Sequence, residues 1–215
     1  MIVEERMTAY LRSLEPEEAG LTGEIARGAR QEGIPIIKPE TGALLKVLLG
    51  MKRPRSVLEV GAAIGYSAIV MAGCLDEEAR LTTIECDPDR ARRAAENISK
   101  AGFRQKIRLI EGDAAQVLPG LDPGFDFIFM DAAKGQYIHF LDQVMRLLTP
   151  GAVLVSDNVL RDGDIIQSRF AVRRRDRTIH SRMRRYLWQL KHSQDLETAV
   201  LTVGDGVAVS VRKAE

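Results

Sequence analysis

Two segments of this sequence run from apolar residues straight into oxygen-bearing side chains. FDFIFMDAAK (residues 125–134) reaches Asp131, and GAVLVSDNV (residues 151–159) reaches Asp157 and Asn158. A near-continuous apolar run is what a strand buried on both faces of a parallel sheet requires, and the carboxyl ends of such strands are where open α/β sheets place their ligands. Two carboxylates and a carboxamide meeting there would form an all-oxygen site suited to Mg2+ or a similar hard divalent cation. A plain turn is the competing reading, because Asp and Asn both favour turns. That two strands end in the same way favours the site.

A second set of residues has the spacing of a nucleotide site. VLEVGAAIGYSA (residues 57–68) reads as a strand, a glycine-bearing turn and a helix start, with Gly61, Ala62, Gly65, Tyr66 and Ser67 at the turn. Gly61 and Gly65 allow a tight turn and a close backbone approach to a ligand. The pattern lacks a full GxGxxG and lacks the Gly-Lys-Ser/Thr of a phosphate loop, so alone it is weak. Glu85, followed by Cys86, ends the next strand 24 residues after Gly61, where an acid that binds both ribose hydroxyls is expected. The third strand ends in Gly112-Asp113-Ala114; Asp113 could accept from an adenine amine while the Ala114 amide meets the ring edge. Glu59 is either a buried acid satisfied by backbone amides or a group near the cofactor's amino end. In this order the motifs resemble the S-adenosylmethionine site of class I methyltransferases.

With the strand-end acids added, GxxxGYS, the strand-end Glu, GDA, DxxK and DN resemble the cation-dependent O-methyltransferases that include the catechol and caffeoyl-CoA enzymes. The match runs from Lys38 to Arg212. It implies that Asp131, Asp157 and Asn158 hold the metal, that Lys134 is the general base beside Asp131, and that Asp131 also borders the cofactor. It further implies a dimer and a place over the cofactor for the stretch around Lys38. The chemistry is consistent with this. Methyl transfer from a sulfonium needs an in-line approach and an unprotonated nucleophile, and a divalent ion gripping two adjacent oxygens makes a hydroxyl more acidic. Lys134 could take the proton if desolvation and the ion lower its own pKa. The alternative for Lys134 is a solvated lysine at a helix start.

The segment after Asn158 bears on the substrate. Residues 161–191 hold ten Arg or Lys against three Asp, while the whole chain carries a net charge of only +1, so the rest is acidic. Arg161, Arg173, Arg174, Arg175 and Arg177, with His180, Tyr186 and Trp188 among the arginines, suit a phosphate-contacting surface. The plainer reading is a solvated amphipathic helix with Met183, Leu187, Leu190 and Trp188 packed inward. DNVLRDGDI, RRRDRTIHSRMRRY and VGDGVAVSVRK resemble the bacterial tRNA 5-hydroxyuridine methyltransferase subgroup, which implies transfer to the 5-hydroxyl of the wobble base and a tRNA anticodon loop as partner. In 5-hydroxyuridine that hydroxyl lies beside the O4 carbonyl, a pair of neighbouring oxygens like that of a catechol. A small-molecule catechol or caffeoyl-CoA-like substrate, or an RNA-binding role without chemistry, are the other readings.

The elements that must position these residues follow from periodicity. Residues 2–14, 16–33 and 39–49 read as helices. From residue 56 short apolar runs alternate with amphipathic helices: strands at 56–60, 80–85, 107–110, 125–130 and 152–156, helices at 67–74, 88–101, 114–118 and 137–148. That alternation argues for a parallel sheet with right-handed crossovers. A long basic segment after Asp164 reads as helical to His192. Residues 197–203 and 207–212 flank Gly204-Asp205-Gly206, a hairpin signal. The expected fold is a Rossmann-like α/β domain with a seven-stranded mixed sheet: five parallel strands, a C-terminal antiparallel hairpin and helices on both faces. At 215 residues the chain suits one domain over 1–215, with a helical cap at 1–52 and a catalytic core at 53–215. Hydrophobic residues at 45% and charged residues at 28% exclude a disordered or fibrous chain. The charged N-terminus and the absence of a long apolar run imply a cytoplasmic protein without a membrane partner, and Cys74 and Cys86 are expected to be reduced.

Overall fold

The computed structural model describes residues 5–214, apart from the side chain of Asp162. Three helices come first: α1 (Glu5–Ser13), α2 (Gly20–Glu32) and α3 (Pro39–Lys52). The alternating region follows as β1 (Ser56–Val60), α4 (Tyr66–Ala72), β2 (Arg80–Glu85), α5 (Pro88–Lys100), β3 (Ile107–Glu111), α6 (Ala114–Val117), β4 (Phe125–Met130), α7 (Tyr137–Leu147) and β5 (Leu148–Ser156). After two short 3-10 turns come α8 (Arg177–His192), β6 (Leu196–Leu201) and β7 (Val207–Arg212).

The strands form one seven-stranded sheet in the order β3-β2-β1-β4-β5-β7-β6. β1 to β5 are parallel, and β7 runs antiparallel between β5 and β6. The period-2 alternation of a strand divides the core in two. Val57, Phe127, Phe129, Val153 and Val155 pack with residues of α2 to α5, whereas Leu58, Val60, Ile128, Met130 and Leu154 pack with α7 and α8. This is the expected mixed sheet with helices on both faces.

Register is what sets up the site. Val60 pairs with Ile84 on one side and Met130 on the other, and Met130 pairs with Ser156. The residues next in sequence, Gly61, Glu85, Asp131 and Asp157, therefore emerge side by side along one edge. Ser156 also pairs with Ala208, which brings the Gly204-Asp205-Gly206 turn to the same edge.

Several boundaries differ from expectation. Residues 2–4 of the first predicted helix lie outside the described residues, and the second helix begins at Gly20 rather than Pro16. β5 begins at Leu148, before Pro150-Gly151, with a register shift between Phe125 and Phe127. The basic segment is helical only from Arg177; residues 161–166 and 174–176 form 3-10 turns instead. Trp188 is not core: it is 60% exposed and stacks on His192 with ring centroids 4.2 Å apart, while Met183 and Leu190 are buried as expected. Among the described residues, no helix is long and apolar enough to cross a membrane.

Candidate functional site

A cleft of about 1000 Å3 opens along the carboxyl edge of the sheet. Its walls are the segment from Pro35 to Lys38, the β1 turn, the ends of β2, β3, β4 and β5, and Asp205. Of the residues predicted from the sequence, Lys38, Gly61, Ala62, Tyr66, Ser67, Glu85, Cys86, Gly112, Asp113, Ala114, Asp131, Lys134, Asp157, Asn158 and Arg161 all line it.

In the nucleotide-like half, the β1 turn is built around a contact only glycine permits. Gly61 has φ +103°, and a Cβ there would lie 2.3 Å from the carbonyl oxygen of Asp131. The Gly61 and Ala62 amides both donate to Ile84 O at 3.0 Å. Gly65 does not face the cleft; its φ is +81°, and a Cβ would press on Ala94 of α5 at 3.2–3.3 Å. Glu85 is nearly buried and accepts the amides of Ala63 (2.7 Å) and Asp87 (3.0 Å). Each of its oxygens holds one amide, and Oε1 also takes the weak Cys86 thiol at 3.7 Å, so Oε2 keeps a lone pair for a ribose hydroxyl. Asp113 caps α6 by accepting the Ala115 amide at 2.9 Å, which leaves the Ala114 amide at the cleft wall. The Tyr66 hydroxyl is taken up by Glu18.

Glu59 lies behind this half, fully buried. Thr83 donates to its Oε2 at 2.5 Å, and Oε1 has no partner. Of the two sequence readings, that of an acid satisfied by backbone amides fails here. Burial pushes its pKa up to about 7 against the lowering effect of the Ser67 and Thr83 hydroxyls, with the charges of Asp131 and Glu85 adding to the rise.

The oxygen-rich half centres on Asp157, 2% exposed. Its Oδ1 accepts its neighbour's amide, from Asn158, at 2.7 Å, and burial together with the nearby Asp131 charge raises its pKa to about 7. Asn158 adopts φ 55°, a left-handed conformation that Asn tolerates better than most residues. Lys134 Nζ donates to Asp131 Oδ1 at 2.6 Å and to the Tyr137 hydroxyl at 3.2 Å. Tyr137 is buried and donates between two backbone carbonyls, Met130 O at 2.8 Å and Asp157 O at 3.2 Å. One phenol thus ties the ends of β4 and β5 to Lys134. Among the described residues no group of three or more His, Cys, Asp or Glu is arranged for a metal; the set here has two acids with a carboxamide as third donor. Two carboxylates at close quarters, one of them buried, fit a hard divalent ion.

Sequence reasoning missed Tyr137 and Asp205. Tyr137 carried one faint signal, its place three residues after Lys134 at a helix start; Asp205 reads only as a turn residue. The arginines divide. Arg173, Arg174 and Arg175 are exposed, whereas Arg161 borders the cleft and faces Asp176 at 3.8 Å. Arg177 is engaged internally, donating to Val172 O and Phe170 O at 3.3 and 3.2 Å.

Known proteins resemble the chain in sequence and in fold. A catechol O-methyltransferase of Niastella koreensis is 38% identical over 143 residues, 63% of this chain and 64% of that protein, so the match spans somewhat less than two thirds of that relative. A caffeoyl-CoA O-methyltransferase of Populus kitakamiensis is 29% identical over 80% of this chain and 76% of its own. The crystal structure of an O-methyltransferase from Bacillus cereus in complex with SAH superposes with a TM-score of 0.84 at 26% identity, covering 97% of both chains. The model of the O-methyltransferase family matches residues 22–213, and the chain belongs to that family.

Proposed function

We propose that the protein transfers a methyl group from S-adenosylmethionine to the 5-hydroxyl of 5-hydroxyuridine at the tRNA wobble position, giving 5-methoxyuridine, with Mg2+ or another divalent cation in the cleft. The observation that carries the methyl-transfer reading is the contact of Gly61 with the Asp131 carbonyl. It places the glycine turn, Glu85 and Asp113 against Asp131, Asp157 and Asn158 in one cleft. Glu85 would accept a ribose hydroxyl, and Asp113 with the Ala114 amide would meet the adenine. Asp131, Asp157 and Asn158 would hold the ion, which when bound acts as a Lewis acid toward two neighbouring substrate oxygens. Lys134, as a neutral amine, would direct its two N–H bonds to Asp131 and Tyr137 and keep its lone pair for the proton of the substrate hydroxyl. The freed oxygen then attacks the methyl carbon, and S-adenosylhomocysteine leaves.

Support for RNA comes from the exposed Arg173-Arg174-Arg175 run and the 80% exposed Phe170 beside it, a cationic surface with a base-stacking ring. A wobble base in a loop enters a pocket without opening a duplex. The second reading, a small catechol or caffeoyl-CoA-like substrate, is favoured by the names of the relatives. A homodimer is part of the proposal: Met7, Tyr10 and Leu11 of α1 and Val47 and Met51 of α3 are exposed and suit a second copy. The deciding experiment is mass spectrometry of nucleosides from tRNA rich in 5-hydroxyuridine after incubation with protein, S-adenosylmethionine and Mg2+. The expected result is 5-methoxyuridine, lost with EDTA; turnover of free catechol with none on tRNA would leave the small-molecule reading.

A further inference from the structure

The hairpin turn between β6 and β7 lies far in sequence from the strand-end ligand set and holds its carboxamide, Asn158, in place. Asn158 Nδ2 donates to Asp205 Oδ2 at 3.1 Å, so the carboxamide turns its oxygen, the only atom of that group able to bind a cation, away from Asp205. The backbone is latched as well: Val159 N donates to Gly206 O at 2.9 Å and Leu160 N to Asp205 O at 3.1 Å. Close packing fixes the turn from both sides. A Cβ on Gly206 would lie 2.3 Å from Leu160 Cγ, and one on Gly204 would lie 2.9 Å from Thr41 Oγ1 at the start of α3. Lys38, on the segment that walls the cleft, pairs with Asp205 Oδ1.

An Asn in a left-handed conformation, with an amide whose two ends differ only in hydrogen bonding, needs such a partner. Without Asp205, rotation of the carboxamide by half a turn would present an NH2 group to a cation. Outer partners that orient a ligand commonly matter 10- to 100-fold in metal affinity.

We infer that Asp205 is a positioning residue: it selects the amide rotamer of Asn158 that offers oxygen to a divalent cation, and through Lys38 it joins that ligand to the segment closing the cleft. The inference rests on the metal reading above. It gives the Gly204-Gly206 turn a role that neither its distance from the acids in sequence nor its hairpin geometry requires.

The test is Mn2+ binding to the full chain, read by electron paramagnetic resonance of the free ion, with S-adenosylhomocysteine affinity measured in parallel as a check on the fold. Asp205→Ala is expected to weaken Mn2+ about 10- to 100-fold with S-adenosylhomocysteine affinity kept. Asp205→Asn, whose amide oxygen can still accept from Asn158, is expected to recover most of the loss. Mn2+ affinity in Asp205→Ala within twofold of the wild type overturns the inference, as does an Asp205→Asn variant as weak as the Ala variant, since that pattern reports lost charge rather than lost orientation. Should the wild type bind no Mn2+ at all, the metal reading falls and this inference with it; tight Mn2+ binding unaffected by Asp205→Ala leaves the metal reading standing alone.

Discussion

At the scale of single residues, the least expected group is Glu59. A carboxyl with no exposure, whose burial outweighs the hydroxyls of Ser67 and Thr83 beside it, keeps its proton up to about pH 7 rather than the ordinary 4.5. In the unfolded chain it ionises near its ordinary value, so between those limits the folded state binds the extra proton. Stability linked to this group is then complete below about pH 4.5 and is lost as pH rises through about 7. The difference amounts to roughly 3 kcal/mol at most. Glu59→Gln, neutral throughout, should match the wild type near pH 4 and exceed it by up to roughly that amount at pH 8. Urea unfolding at the two pH values checks this, and a constant difference would show that Glu59 ionises normally. Its burial was legible as an acid inside VLEV; its partners were not, because Thr83 reaches it only through the pairing of β1 with β2.

At the scale of elements, the strands carry most of what was readable. β1, β2 and β4 have the bounds their apolar runs indicate, since a doubly covered strand leaves no room for polar residues. β5 was misjudged because Thr149-Pro150-Gly151 reads as a turn, yet it sits inside the register shift between Leu148 and Val153, an irregular stretch where a missing N–H is tolerated. The site's cross-links were invisible for a different reason. Lys38 to Asp205 spans 167 residues, Asn158 to Asp205 spans 47, and no local pattern encodes a contact between side chains that only the strand order brings together. The turn after β1 has a sharper requirement. Gly61→Ala would place a methyl 2.3 Å from the Asp131 carbonyl in a backbone with φ +103°, a change expected to destabilise by about 2–3 kcal/mol and to separate the two halves of the cleft. A drop in urea midpoint together with weaker S-adenosylhomocysteine binding is the expected result; Gly65→Ala, which presses on Ala94 instead, should affect stability more than ligand binding.

At the scale of the whole molecule, charge is sorted by position. The exposed Arg173, Arg174 and Arg175 lie in the stretch between the cleft turn at 161–166 and α8, which also exposes Phe170. If this surface holds an RNA backbone, binding releases counterions, and each phosphate contact contributes about 0.7 to the slope of log affinity against log salt for a single strand. Replacing all three arginines with Ala should weaken tRNA binding and flatten that slope by up to about 2. Equal slopes in variant and wild type would assign these side chains to solvent. The sequence showed the charge but not its disposition: two of the arginines singled out there, Arg161 and Arg177, turn to Asp176 and to backbone carbonyls.

The place of β7 has a consequence for how the protein comes into being. Because it is inserted between β5 and β6, the edge of β5 stays open until residues 207–212 have been made, roughly fifty residues after Asn158 leaves the ribosome. Pairings this distant in sequence form slowly, and an open apolar edge invites association with other chains. The nascent protein therefore carries its acids, glycines and lysine before it carries a cleft, and the hairpin that covers the edge also delivers Asp205. Protection of the sheet and completion of the site arrive in one event.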